Sequence, residues 1–162
     1  MKMTRFLSAA AAGLMIGAGP VLAATMVKDV NVEIDLDAIN NPAAAAYWTS
    51  AADDLENAIV ARLTDRIADD GLSISVDINE LELANSFQTA LNVADSRLEG
   101  QVKMSSEADA TLMKTYDLTV TFDQATLFMP EGADLAAITS DSRDYYNAML
   151  NAFADKVVEN LD

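Results

Sequence analysis

Along the stretch VKDVNVEIDLDAIN, Val27 to Asn40, every second side chain is polar and most are acidic: Asp29, Asn31, Glu33, Asp35 and Asp37. A row of oxygens like this supports three kinds of chemistry. It can coordinate a hard cation, which takes oxygen ligands only. It can attract a basic partner through its field. As a carboxylate pair in a cleft, with one pKa raised by burial, it can perform general acid–base catalysis.

The rest of the chain narrows these options. It contains no histidine and no cysteine, which excludes an imidazole base, a thiol nucleophile and a conventional zinc site. Carboxylate and Ser–Lys chemistry stay formally open. The acids, however, crowd positions that read as exposed, where neither member of a pair would keep a proton. The six glycines include Gly13, Gly17 and Gly19 near the N-terminus and form no phosphate-binding loop. Nothing assembles the set of roles a catalytic site demands, so the expectation is a protein that is not an enzyme and uses no cofactor. For calcium, DLDAIN supplies Asp35, Asp37 and Asn40, but the fifth-position ligand and turn glycine of an EF-hand loop are missing. SSEADA and DSRD are similarly oxygen-rich and similarly unpatterned. No metal site is assigned, and calcium or small-ligand binding stands as the alternative function.

Charge points the same way. Ten basic residues stand against 26 acidic ones, for a net charge of −16. Nucleic acid needs clustered Lys and Arg for its phosphates, and an anionic membrane surface repels such a chain. A basic protein partner is favoured instead.

The first residues read as an export signal. MKMTR carries Lys2 and Arg5, and FLSAAAAGLMIGAG is an uncharged run too short to span a bilayer stably. Pro20 breaks that run, and VLAAT offers small residues for cleavage after Ala23, with Ala24 the second choice. Residues 1–23 are expected to be removed and 24–162 to form one α/β domain, periplasmic or secreted beyond. Later in the chain no stretch is long and apolar enough to cross a membrane. Without cysteine there is neither lipid attachment nor a disulfide, so the fold must stand on its core.

The elements that position the acids follow from period. In the first strand Val30, Val32, Ile34 and Leu36 share one side and the acids the other. Asn41 and Pro42 open a helix expected to run to about Asp70, where Gly71 ends it. Its stripe is Trp48, Ala52, Leu55, Ile59 and Leu63, with Ile67 further round, and Arg66 is expected to snorkel outward or pair with Asp70. A helix of that length would measure about 43 Å against about 33 Å for a ten-residue strand, overhanging the sheet and presenting Tyr47. LSISVDINELEL is the second strand, where Leu81 and Leu83 fall out of phase unless a bulge lies near Asn79 or Glu80.

After the polar connection ANSFQTALNVAD, SRLEGQVKMSS and LMKTYDLTVTFDQATLF read as an antiparallel hairpin. Leu98, Val102 and Met104 face inward in the first, and Tyr116, Leu118, Val120 and Phe122 in the second. DLAAIT offers a short helical turn. Asp141 and Asp144 begin a last helix whose narrow stripe is Tyr146, Met149, Leu150, Phe153, Val157 and Leu161.

The expected fold is an α+β two-layer sandwich, β-α-β-β-β-α, with a four-stranded, mainly antiparallel sheet and both helices on one face. The open face then collects the acids. Asp29, Glu33, Asp35, Asp77, Asp117 and Asp123, with Tyr47, are the candidate partner-binding residues, and Arg97 and Lys103 lie among them as local counter-charges.

This element order resembles that of small periplasmic auxiliaries of envelope transport, the lipopolysaccharide-assembly and ABC-transporter auxiliary lipoproteins. YWTSAADDLENAIVARL is loosely similar to their Trp-led first helix and DYYNAMLNAFADKVVENL to their last. The resemblance implies a role without catalysis, by binding partner proteins or lipids at the envelope. The chain differs from them in having no cysteine to lipidate.

Overall fold

The computed structural model describes residues 24–34, 48–82, 97–139 and 142–161. Strand β1 (Val27–Ile34) leads through helix α1 (Ala51–Arg62) to β2 (Leu72–Glu82). Strands β3 (Arg97–Ser105) and β4 (Lys114–Thr121) follow, then a short helix α2 (Phe122–Ala125) and a long one, α3 (Arg143–Glu159). The strands lie in the order β1-β2-β3-β4; β1 and β2 are parallel, and the other two pairings antiparallel. This is the expected four-stranded, mainly antiparallel sheet of an α+β fold, with one parallel pair.

Alternation sets the two faces of the sheet. Val32, Ile74, Val76, Ile78, Leu98, Val102, Met104 and Val120 are buried on the inner face. There α1 packs on β1, and α3 packs on α1, β3 and β4. The bulge expected near Asn79 is present as a register shift between Ile78 and Glu80, which sets Leu81 opposite Leu98. A second shift, between Val27 and Asp29, was not foreseen; it leaves Val27 fully buried.

Three boundaries differ from the sequence reading. Helix α1 stops at Arg62, well before Asp70. The Thr64 hydroxyl donates to the Ala61 carbonyl at 2.8 Å, competing with the helical amide for that acceptor. Beyond it Ile67 forms an isolated parallel bridge with Val27, so tertiary pairing overrides helix propensity. Ile67 is consequently exposed. Arg66 is on no helix, and its Nε donates to the Thr25 carbonyl at 2.9 Å. Tyr47, for which an overhang was argued, lies outside the described residues, as do Leu36, Asn41, Pro42 and Leu83.

Strand β4 ends at Thr121, where Thr121 and Gln124 form a capping box. The Gln124 side chain accepts from the Thr121 amide at 2.9 Å and starts α2. The last helix is capped by Ser142, whose hydroxyl accepts from the Tyr145 amide at 3.2 Å; Asp141 is outside the described residues. The buried surface of α3 is wider than a stripe and includes Tyr145, Ala148, Ala152 and Ala154. The 122–128 segment covers it from another side.

Two clasps join the helices. The Arg62 guanidinium donates to the Asn151 side chain at 3.1 Å and lies 3.4 Å from Asp155. At the other end Trp48, fully buried, meets the Tyr146 ring edge-on at 4.9 Å, and the Tyr146 hydroxyl donates to the Asp54 carboxylate.

Two phenols packed in or against the core, Tyr116 and Tyr146, are shifted upward, with a consequence at high pH. Burial pushes Tyr116 up to about 12, and burial followed by the bond to Asp54 raises Tyr146. A raised phenol pKa means that the folded state holds its proton after the unfolded state has lost it. Stability from Tyr116 is therefore complete below pH 10 and is lost between about 10 and 12. The Tyr116 hydroxyl is buried without a hydrogen-bond partner among the described residues, so Tyr116→Phe is expected to be neutral or slightly stabilising at pH 7. The variant should also unfold at a higher alkaline pH than the parent. Urea unfolding at pH 7, 10 and 11.5 tests this, and unchanged alkaline behaviour in Tyr116→Phe would rule it out.

Candidate functional site

The candidate site is the sheet face away from the helices. Outward positions fall into rows fixed by strand register. Asp29, Ser73 and Ser105 form one row, and Asn31, Ser75, Lys103 and Thr115 the next. Glu33, Asp77, Gln101 and Asp117 form the third, which crosses all four strands, a span of about 14 Å at ordinary strand spacing.

In that third row Glu33, Asp77, Gln101 and Asp117 are all exposed. Glu33 directly faces Asp77 across the parallel pair, an arrangement of like charges that weakens a sheet. Gln101 separates Asp77 from Asp117 and donates to the Asp117 carboxylate at 3.3 Å. In the first row the Ser73 hydroxyl donates to Asp29 at 2.7 Å. Lys103 is exposed in the neighbouring row and makes no ion pair among the described residues.

The structure thus brings Asp29, Glu33, Asp77 and Asp117 onto one face. Asp123 does not join them. It was expected on the outer side of β4 but lies in the first turn of α2, because the capping box ends the strand two residues earlier. Asp35 lies outside the described residues, as do Asp37 and Asn40. Among the described residues no group of three or more acidic, His or Cys side chains is placed to hold a metal ion.

Two crevices flank the Leu72–Ser73 end of the sheet. One of about 400 Å³ opens toward the acidic face and is lined by Lys28, Asp69, Asp70, Ser73, Ser105 and Glu107 among others. The other, about 420 Å³, has Leu72, Met104 and Leu161 at its floor and Leu112, Met113 and Lys114 at its mouth. The sequence reading missed both. The first depends on the shift at Lys28, and the second on the 3₁₀ turn Ala110–Leu112. Asp109 caps that turn, accepting from the Thr111 hydroxyl and amide at 2.6 and 2.9 Å; those bonds hold its carboxyl below the usual range.

No family model matches the chain, and no curated protein matches it. Solved structures with a similar course of the chain exist. A PelC dodecamer from Paraburkholderia phytofirmans is 14% identical, with a TM-score of 0.48 over 90% of this chain and 95% of that one. A Xanthomonas campestris protein of the DUF330 family is 14% identical, with a TM-score of 0.44 over 90% of this chain and 88% of the other. A candidate lipoprotein from Caulobacter crescentus CB15 is 16% identical, with a TM-score of 0.32 over 82% and 86%. No helix among the described residues is long and apolar enough to cross a membrane.

Proposed function

We propose that this is an exported, non-catalytic protein of the bacterial envelope that presents its open acidic sheet face to a basic partner protein. In this reading residues 1–23 are an export signal, and the domain serves as an auxiliary of an assembly or transport system. The observation that carries it is the Glu33–Asp77–Gln101–Asp117 row. It keeps Glu33 and Asp77 facing each other, exposed and like-charged, at a cost to the sheet of a few tenths of a kcal/mol or more. A cationic partner would relieve that repulsion on binding, and its encounter rate would rise in the negative field.

The test is capture of cross-linked partners from envelope and periplasm by the tagged mature chain, at low and high salt. A stoichiometric partner lost at high salt is expected, because exposed charges are screened beyond about 8 Å at physiological ionic strength. Glu33→Lys combined with Asp77→Lys should reduce its capture at least tenfold. The facing pair stays like-charged in this double variant, so stability should change by less than about 0.5 kcal/mol. Undiminished capture by the double variant would eliminate the acidic face as the contact. The apolar floor of the Leu72–Met104–Leu161 crevice favours a second reading, a small-ligand protein. Absence of any partner at either salt would make it the first.

A further inference from the structure

We infer that the basic partner docks by strand addition: an extended segment alternating Lys or Arg with apolar residues pairs with the outer edge of β4. The inference rests on the proposed function and names how its partner is held. Among the described residues β4 pairs with β3 alone, over eight consecutive pairs without a register shift. No other backbone hydrogen bond among them reaches residues 115–120. The opposite edge is guarded. Val27 of β1 is paired with Leu72 on one side and bridged to Ile67 on the other, its amide donating to Arg66 and its carbonyl accepting from Ala68. A register shift follows at once, and covering segments and bulges of this kind blunt an edge. Strand β4 has neither. It contains no proline, and its one lysine, Lys114, stands at its start and donates to the Asn160 carbonyl at 3.2 Å. Every second residue of such an edge turns its N–H and C=O outward, a template for an incoming backbone.

The side chains of β4 select the occupant. On the outer face Thr115, Asp117 and Thr119 are exposed. Asp117 ends the Glu33–Asp77–Gln101–Asp117 row at this edge, so a fifth strand would extend the row and set a cation beside Asp117. On the inner face Tyr116 and Leu118 are half-buried, whereas Val120 and the β3 residues Leu98 and Val102 are completely buried. The core is unfinished along this margin, and apolar side chains of the added strand would cover it. A second copy of this chain is the wrong occupant. Two β4 edges paired antiparallel about Asp117 would set Asp117 against Asp117, between chains that each carry a net charge of −16.

The probe is a peptide of alternating lysine and valine, matched in length to the eight residues of β4. A second peptide is N-methylated at every peptide bond, which keeps its charge and side chains but removes its donors. Both are titrated into the mature chain at low salt, with amide hydrogen exchange followed by NMR. The unmethylated peptide is expected to bind at least tenfold more tightly than the methylated one. It should also slow exchange at least tenfold at alternate residues of β4 and leave β1 unchanged. Asp117→Lys is expected to weaken its binding at least threefold. Equal binding of the two peptides, with β4 exchange unaltered, would overturn strand addition and leave the acidic face as the contact. Protection along β1 instead would overturn the choice of edge. If neither peptide binds, the inference fails; if capture from envelope and periplasm also yields no salt-sensitive partner, the proposed function fails with it.

Discussion

Replacing Phe153 with alanine is expected to destabilise the protein by about 3–5 kcal/mol and to lower its melting temperature by about 10–15 °C. Phe153 is fully buried on α3, the helix that packs on α1, β3 and β4. One feature keeps the void from closing. The helix already buries its small residues Ala148, Ala152 and Ala154, so its backbone is close to its neighbours and cannot approach further. The loss is large against a total of about 5–15 kcal/mol for an ordinary domain, and the chain has no cysteine to supply a compensating disulfide. Urea unfolding followed by Trp48 fluorescence measures it. A loss below about 1 kcal/mol would show that Phe153 is not central to the packing.

The faces of the sheet were legible in the sequence because period 2 is a local property. Alternation placed Val32, Ile74, Val102 and Val120 inward and Glu33, Asp77 and Asp117 outward, and the out-of-phase Leu81 revealed the bulge. Register is not local. That Glu33, Asp77 and Asp117 share one row depends on pairing offsets that alternation alone leaves free. The helix boundary at Arg62 was hidden for a related reason: residues 66–68 are claimed by Val27, a partner nearly 40 positions away. The end of β4 was readable and overlooked. Thr121 followed three residues later by Gln124 is a capping-box signature, but Phe122 continued the apolar alternation and masked it. Asp123 was placed on the acidic face by that error. Likewise Ser142, passed over in the sequence reading, caps α3, since its hydroxyl accepts from the Tyr145 amide.

Gly71→Ala is expected to cost about 2–3 kcal/mol, and Gly71→Val more, because the site has no room for a side chain. The sequence reading made Gly71 a helix terminator. Its role in the structure is close approach to β1, and its φ is not positive. A Cβ built there would lie 2.5 Å from the Val27 carbonyl carbon and 2.7 Å from the Val27 and Lys28 amide nitrogens. All three are backbone atoms, so no rotamer change can relieve the overlap. Relief requires β1 to move, against the bonds from Met26 to Leu72 and from Val27 to Arg66 and Ala68. The strand that would shift carries Asp29 and Glu33, so the strain reaches the acidic face, where it threatens the Ser73–Asp29 bond. Gly71→Ala is therefore expected to weaken partner capture as well as stability, although Gly71 lies outside the acidic rows. Urea unfolding and salt-dependent capture of the same variant separate the two effects. Gly71→Ala unfolding within about 0.5 kcal/mol of the parent would mean that β1 is free to give way there. The start of β1 would then hold the acid row less firmly than its hydrogen bonds imply.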